Sequence, residues 1–202
     1  MGKIDYFLKI FMKAELKYGS VEKRLAAEGW AEPWQTLIAT IMGAQSRDET
    51  TIPIAESLFE KYSLESLAYA KYSDVLKIFS SLNYNRTKAR NVIECAKALV
   101  RDYNGSVPDT IEDLVNLPGV GRKTANLIIT ECFGKEGICV DTHVHRISNV
   151  LGFVKTKNPT ETEMALREFV PHKYWSRINR IFVLWGKNVS GRDKNKLLKV
   201  LD

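Results

Sequence analysis

Apolar residues return at helical spacing through nearly the whole chain, and that periodicity admits little except packed helices. Ile4, Phe7, Leu8, Phe11 and Leu16 set one stripe; Ala89, Val92, Ile93, Ala96 and Leu99 set another. Pro33 suits a first helical turn ahead of Leu37, Ile38 and Ile41. Asp48 is placed to cap a segment running to Phe59, where Pro53 is tolerable only if the helix starts late. Ser63 and Ser73 read as caps of two short helices, and Arg86 or Thr87 opens a longer one that "YNGSVP" ends. Asp109 to Leu117 and Gly121 to Phe133 read as two more. Asp141 caps a helix through Leu151, Thr160 and Glu163 form a capping box, and Pro171 starts a last long helix through Val189. Only "GICV" is strand-like, and it is too short to pair usefully. The expected fold is all-α.

The 202 residues suffice for one large domain or two small ones, and no repeat, low-complexity tract or flexible linker divides them. No apolar run reaches the roughly 18 residues of a membrane span, and "MGKIDYFLKIFMKAEL" reads as an amphipathic helix rather than a signal peptide. Cys95, Cys132 and Cys139 form no CxxC pair, which fits reduced thiols and a cytoplasmic location. A net charge of +6 makes a polyanionic partner plausible, although many basic proteins bind none.

The stretch "LPGVGRKTAN", from Leu117 to Asn126, is more specific. Two helices joined by a tight turn with Gly119 and Gly121 make a hairpin whose backbone can approach a bulky ligand. The leading amides of the second helix, with its dipole, form a site for an anion such as a nucleic-acid phosphate. Lys123 sits at the wrong end of that helix for its charge, since cations favour the last turn. An anion or a reacting carbon there would explain it; so would a plain packing element with Arg122 and Lys123 facing solvent.

Eighteen residues after Lys123 comes Asp141, in "VDTHVHR". That separation is one helix plus a short return, which can bring a carboxylate near the amine. Such a pair can exchange protons and stabilise positive charge on a sugar, and a deprotonated amine can form a Schiff base. The plainer alternative makes Asp141 an N-cap and Lys123 a phosphate contact. His143 and His145, two apart, do not share a helix face and make a poor metal pair; contact to phosphates, with Arg146, is their expected use.

Together "LPGVGRKTAN" and "VDTHVHR" resemble the helix–hairpin–helix DNA glycosylase superfamily, in its endonuclease III branch. The resemblance extends to "LIATIMGAQSRD" (Leu37 to Asp48) and "NYNRTKARNVIECAKAL", and covers most of the chain from Trp34 to Gly186. It implies removal of a damaged or mispaired base from double-stranded DNA, followed by strand cleavage at the abasic site. Lys123 matches the family's nucleophile and Asp141 its aspartate. The nucleotide is flipped out of the stack, the amine attacks C1′, and β-elimination follows. Gln45 matches the residue that fills the gap left by the flipped base. Tyr84 stands where the family reads Gly–Leu–Tyr, here Asn83, Tyr84 and Asn85; it is either a second wedge or a tyrosine packed on its own helix. Asp48 either lines the base pocket or only caps its helix. Gly119, Gly121, Arg122, His143 and Arg146 complete the expected DNA contacts.

One departure is large. Many relatives end with four cysteines that hold an iron–sulfur cluster, whereas this chain reads "WGKNVSGRDKNKLLKVLD", with Ser190 where the first would stand. No cofactor and no metal is therefore expected. The basic tail either contacts DNA or is an ordinary solvated end. The resemblance implies two helical lobes with a DNA cleft between them: a six-helix barrel over 30–135, and a lobe made of 1–29 with 136–202 that carries Asp141. A monomer in the cytoplasm, associated with the nucleoid, is expected, with no membrane partner. Oxidised pyrimidines are the leading substrates, uracil or thymine mispaired with guanine the alternative. A DNA-binding module without turnover is the alternative of another class, which the pairing of Lys123 with Asp141 disfavours.

Overall fold

The computed structural model describes residues 2–202, and among these there is no β-strand. Twelve α-helices and one 3-10 turn fall into two compact units. The all-α expectation holds, and residues 137–140 form no strand, the Cys139 carbonyl accepting instead from Asn179 Nδ2 at 3.1 Å.

One unit is continuous, Arg24–Lys135. It contains α2 (Pro33–Gly43), α3 (Asp48–Lys61), α4 (Leu64–Ala68), α5 (Tyr72–Ile78), α6 (Asn85–Asp102), α7 (Ile111–Leu114) and α8 (Arg122–Glu131). α2 packs on α3, α6 and α8, while α4 and α5 lie on α6 and α7 on α8. The core they enclose includes Leu37, Met42, Leu58, Leu67, Phe79, Val92, Leu99 and Ile128. α6 organises it, because Ala89, Val92, Ile93, Ala96 and Leu99 are all buried, as their spacing predicted.

Local starts differ from the sequence reading in several places. Arg47, not Asp48, is the N-cap of α3, with Thr50 and Thr51 amides on the Arg47 carbonyl at 3.1 and 2.9 Å. The helix therefore runs through Pro53. The lost bond falls in the second turn, and burial of Thr51, Ala55 and Leu58 outweighs it. Ser63 does cap α4, accepting from the Ser66 amide, but Ser73 lies inside α5 behind the cap residue Lys71. Thr110, not Asp109, caps α7, its hydroxyl accepting from Asp113 N at 3.2 Å.

The other unit joins the described residues up to Lys23 to Glu136–Asp202. It holds α1 (Lys3–Tyr18), α9 (Thr142–Val150), α10 (Pro159–Arg167), a 3-10 turn (His172–Tyr174), α11 (Trp175–Asn188) and α12 (Lys194–Lys199). The buried face of α1 is Phe7, Ile10, Phe11, Ala14 and Tyr18, while Leu16 is 86% exposed and Ile4 44%. The helix is thus rotated from the expected stripe, because aromatic partners decide which face turns inward. Phe7 meets Phe153 and Phe169 edge-on, and Phe11 meets Tyr174 and Phe182. Asn158, not Thr160, caps α10, accepting from Glu161 N at 2.9 Å with Pro159 at the first position. Glu163 is instead buried and paired with Arg167 at 3.1 Å. The helix expected from Pro171 begins as the 3-10 turn and becomes regular at Trp175. The basic tail forms α12, capped by Asp193 and anchored by the fully buried Leu197.

Candidate functional site

The α7–α8 hairpin is pinned from below by Leu117 and Val120, both buried. Between them Gly119 has φ +80°, and a Cβ there would meet Asn91 Cβ at 2.9 Å, so both backbone and space demand glycine. Gly121 is different. Its φ of −97° suits any residue, and a Cβ added to it would meet nothing within 4 Å. The protein's own fold does not require that glycine, and its Cα side faces open space. Gly121 is the N-cap of α8, and the first ladder bond runs from Ala125 N to Gly121 O at 2.9 Å. The leading amides of such a helix are not consumed by its own ladder. Burial of Thr124, Ala125 and Ile128 fixes the helix so that Lys123, in the first turn, is exposed beside half-buried Arg122.

Two loops of the same unit carry the other candidates. Gln45 is exposed at φ +54°, and Tyr84 is 66% exposed at φ +55°, as the N-cap of α6. Both are non-glycine residues in the left-handed region, an uncommon and mildly strained state. Asn83 Nδ2 donates to the Gln45 carbonyl at 2.7 Å, joining the loops. Lys88 Nζ donates to Ser46 Oγ at 2.8 Å and is buried, and that burial lowers its pKa from 10.5 to about 8. Sequence reading missed Lys88, although a signal existed: it keeps helical spacing with buried Val92, Cys95 and Leu99. Asp48 is half-buried in the first turn of α3, where Oδ1 accepts from Ala26 N at 3.2 Å.

In the other unit Asp141 is the N-cap of α9, as expected. Oδ1 alone accepts both the His143 and Val144 amides, each at 2.9 Å. The second oxygen takes no part in the cap, so capping leaves half the carboxylate available for chemistry. His143 packs on α11, where any Cβ at Gly186 would collide with its ring. His145 Nδ1 lies 2.7 Å from Thr162 Oγ1 within a network that includes Thr156 and Asn149. It is occupied inside the unit, not aimed at a phosphate. Arg146 donates to the carbonyls of Gly186 at 3.1 Å, Val189 at 2.9 Å and Gly191. It thereby holds the end of α11 and the turn into α12. Burial lowers the Arg146 pKa, with the Asp141 carboxylate opposing that effect and Arg192 adding to it.

Among the described residues no group of three or more His, Cys, Asp or Glu is placed to hold a metal. The cysteines are free thiols; Cys95 and Cys139 are buried, and burial raises Cys95 to about 12. Such thiols, with Ser190 near the α11 end, do not make a four-thiolate donor set. Among the described residues no helix is long and apolar enough to cross a membrane.

The exposed Lys123 amine belongs to the continuous unit and the capping Asp141 carboxylate to the other, and comparison with known proteins gives the family. Residues 38–172 match the family of HhH-GPD superfamily base excision DNA repair proteins. The endonuclease III of Thermotoga maritima is 43% identical over 159 residues, 78% of this chain and 75% of that one. That of Synechocystis is 35% identical over 164 residues, 80% and 75%. A solved trapped endonuclease III–DNA covalent intermediate, an estranged-adenine complex, superimposes with a TM-score of 0.86 at 30% identity, covering 93% of this chain and 88% of that one. The chain belongs to the HhH-GPD superfamily, in its endonuclease III-like branch.

Proposed function

We propose that the protein is a DNA glycosylase with abasic-site lyase activity that removes oxidised pyrimidines from double-stranded DNA. The observation that carries this reading is the exposed Lys123 amine at the start of α8, on a hairpin whose Gly121 faces open space. Lys123 attacks C1′ of the flipped nucleotide as a neutral amine, the C1′–N bond breaks, and the base leaves with its electron pair and a proton. Asp141, through the oxygen not used in capping α9, balances the positive charge that develops on the sugar. The C1′–O4′ bond then breaks, O4′ taking up a proton as the sugar ring opens to an iminium; a C2′ proton is removed, and the 3′ phosphate leaves by β-elimination. Gly119, Gly121 and Arg122 hold phosphate, Gln45 and Tyr84 enter the duplex, and Asp48 stands nearest the base pocket. His143 and Arg146 act through the α9–α11 packing and the segment they hold.

The chain works without an iron–sulfur cluster. The donor set does not fit one, and Arg146 supplies hydrogen bonds to the Gly186–Gly191 carbonyls at the point in the chain where relatives carry the cluster's first cysteine. No step is routed through a metal, and a monomer in the cytoplasm is the expected working form.

Borohydride should trap the wild type covalently on duplex DNA bearing thymine glycol, and Lys123→Gln should abolish trapping while leaving duplex binding intact. Undiminished trapping in that variant would assign the chemistry to another amine. A panel with uracil:G and thymine:G duplexes separates the oxidised-pyrimidine reading from mismatch repair.

A further inference from the structure

A buried lysine is costly unless something in the fold or its function uses the charge. Lys88 has one side-chain hydrogen bond, to Ser46 Oγ, and no ion pair among the described residues. A methionine would fill the same space without the penalty. Its position explains what the amine does. Lys88 N donates to the Tyr84 carbonyl at 3.0 Å, one turn back along α6, while its side chain reaches the residue after Gln45. Asn83, the residue before Tyr84, holds the Gln45 carbonyl itself at 2.7 Å. Two ties therefore cross between the loops, and they flank the two left-handed residues on either side.

Each left-handed residue would relax toward ordinary backbone if its loop were free. Two separate loops would then present their side chains in many arrangements, and entering a base stack would require ordering both at once. Joined loops have met that cost already on folding. Asn85 Nδ2 on the Ser80 carbonyl at 3.2 Å steadies the far side of the Tyr84 loop in the same way.

We infer that Asn83 and Lys88 are positioning residues that lock the Gln45 and Tyr84 loops into one rigid wedge, so that both side chains enter the duplex as a unit. This rests on the reading of Gln45 and Tyr84 as the residues that enter DNA. It assigns neither Asn83 nor Lys88 a contact to the reacting atoms.

Asn83→Ala tests the tie at an exposed position where folding is not at stake, and Lys88→Met tests it with the side chain's length preserved. Single-turnover excision of thymine glycol paired with adenine should fall about tenfold in each, the scale expected when residues in one hydrogen-bonded network are uncoupled. Cleavage at a preformed abasic site, where no paired base is displaced, should change less than about twofold. Adding Asn83→Ala to a Gln45→Ala/Tyr84→Ala variant, in which neither wedge side chain remains, should slow excision no further. Equal losses on both substrates, no loss at the paired lesion, or a further loss in that triple variant would each overturn the inference. A wild type that neither excises nor cleaves would instead sink the enzymatic reading. In that event 2-aminopurine beside the lesion still reports the wedge: its fluorescence rise on binding should be lost in Asn83→Ala, and an unchanged rise overturns the inference.

Discussion

Replacing Lys88 with methionine should change how stability depends on pH, and the structure fixes both sign and scale. Below pH 8 the amine is protonated in the folded and unfolded chains, so the folded state carries the whole penalty of a buried ammonium. Between about 8 and 10.5 the unfolded chain keeps the proton while the folded chain releases it, and folding stability rises with pH. Above 10.5 both are neutral and the penalty is gone. At about 1.4 kcal/mol per pH unit the ceiling is about 3 kcal/mol, and water reaching the amine reduces the expected gain to about 1–2 kcal/mol. Lys88→Met has no such group. The stability of the wild type relative to this variant should therefore climb by about 1–2 kcal/mol from pH 7 to pH 10, while all other titrations cancel in the difference. Urea unfolding at four pH values would measure it, followed by tryptophan fluorescence because Trp30 and Trp34 pack on Phe59 inside this unit. Parallel curves, within about 0.3 kcal/mol, would show that the amine is hydrated in the folded state, and the cost assigned to it would be wrong.

Other outcomes can be checked with single variants. Gly121→Ala should leave stability within about 1 kcal/mol while weakening binding to every duplex alike, whereas Gly119→Ala should lose about 2 kcal/mol or more from strain and the Asn91 clash. Asp141→Asn should keep the α9 cap and Asp141→Ala should lose about 1 kcal/mol, with excision abolished in both. Arg146→Met should speed hydrogen exchange from Ser190 to Leu197 by releasing the Gly186, Val189 and Gly191 carbonyls, and elemental analysis of the wild type should find no stoichiometric iron. Log affinity should fall steeply with log salt, and removing one phosphate contact should flatten the slope by about 0.9.

Much of this was legible in the chain itself. The α6 stripe and the Asp141 cap follow from local pattern, and local pattern suffices where one face of a helix meets one core. It failed where a tertiary partner decided. The rotation of α1 depends on Phe153, Phe169, Tyr174 and Phe182, more than a hundred residues away. Thr160 and Glu163 have the spacing of a capping box, yet Asn158 ahead of Pro159 starts the helix earlier and frees Glu163 for Arg167. Lys123 was visible because a cation is odd in the first turn of a helix, and Asp141 because it follows eighteen residues later, one helix and a short return away. Arg146 was read as a phosphate contact and Lys88 was missed, because a cation in a helix normally reads as solvated, and only the carbonyls and hydroxyl they meet reveal what they hold.

The unit that carries Asp141 is discontinuous: α1 packs on α11, and Arg177 reaches Glu15 at 2.6 Å across 162 residues of sequence. The Arg24–Lys135 unit, by contrast, is complete as soon as its own residues exist. During synthesis the hairpin and its lysine should therefore fold first, while α1 waits for α11, whose residues follow that whole unit. A ribosome-bound chain stopped at residue 150 would present the amine without a packed scaffold for its aspartate. The order of synthesis thus sets the hairpin amine in place before α11 exists to complete the unit that carries Asp141.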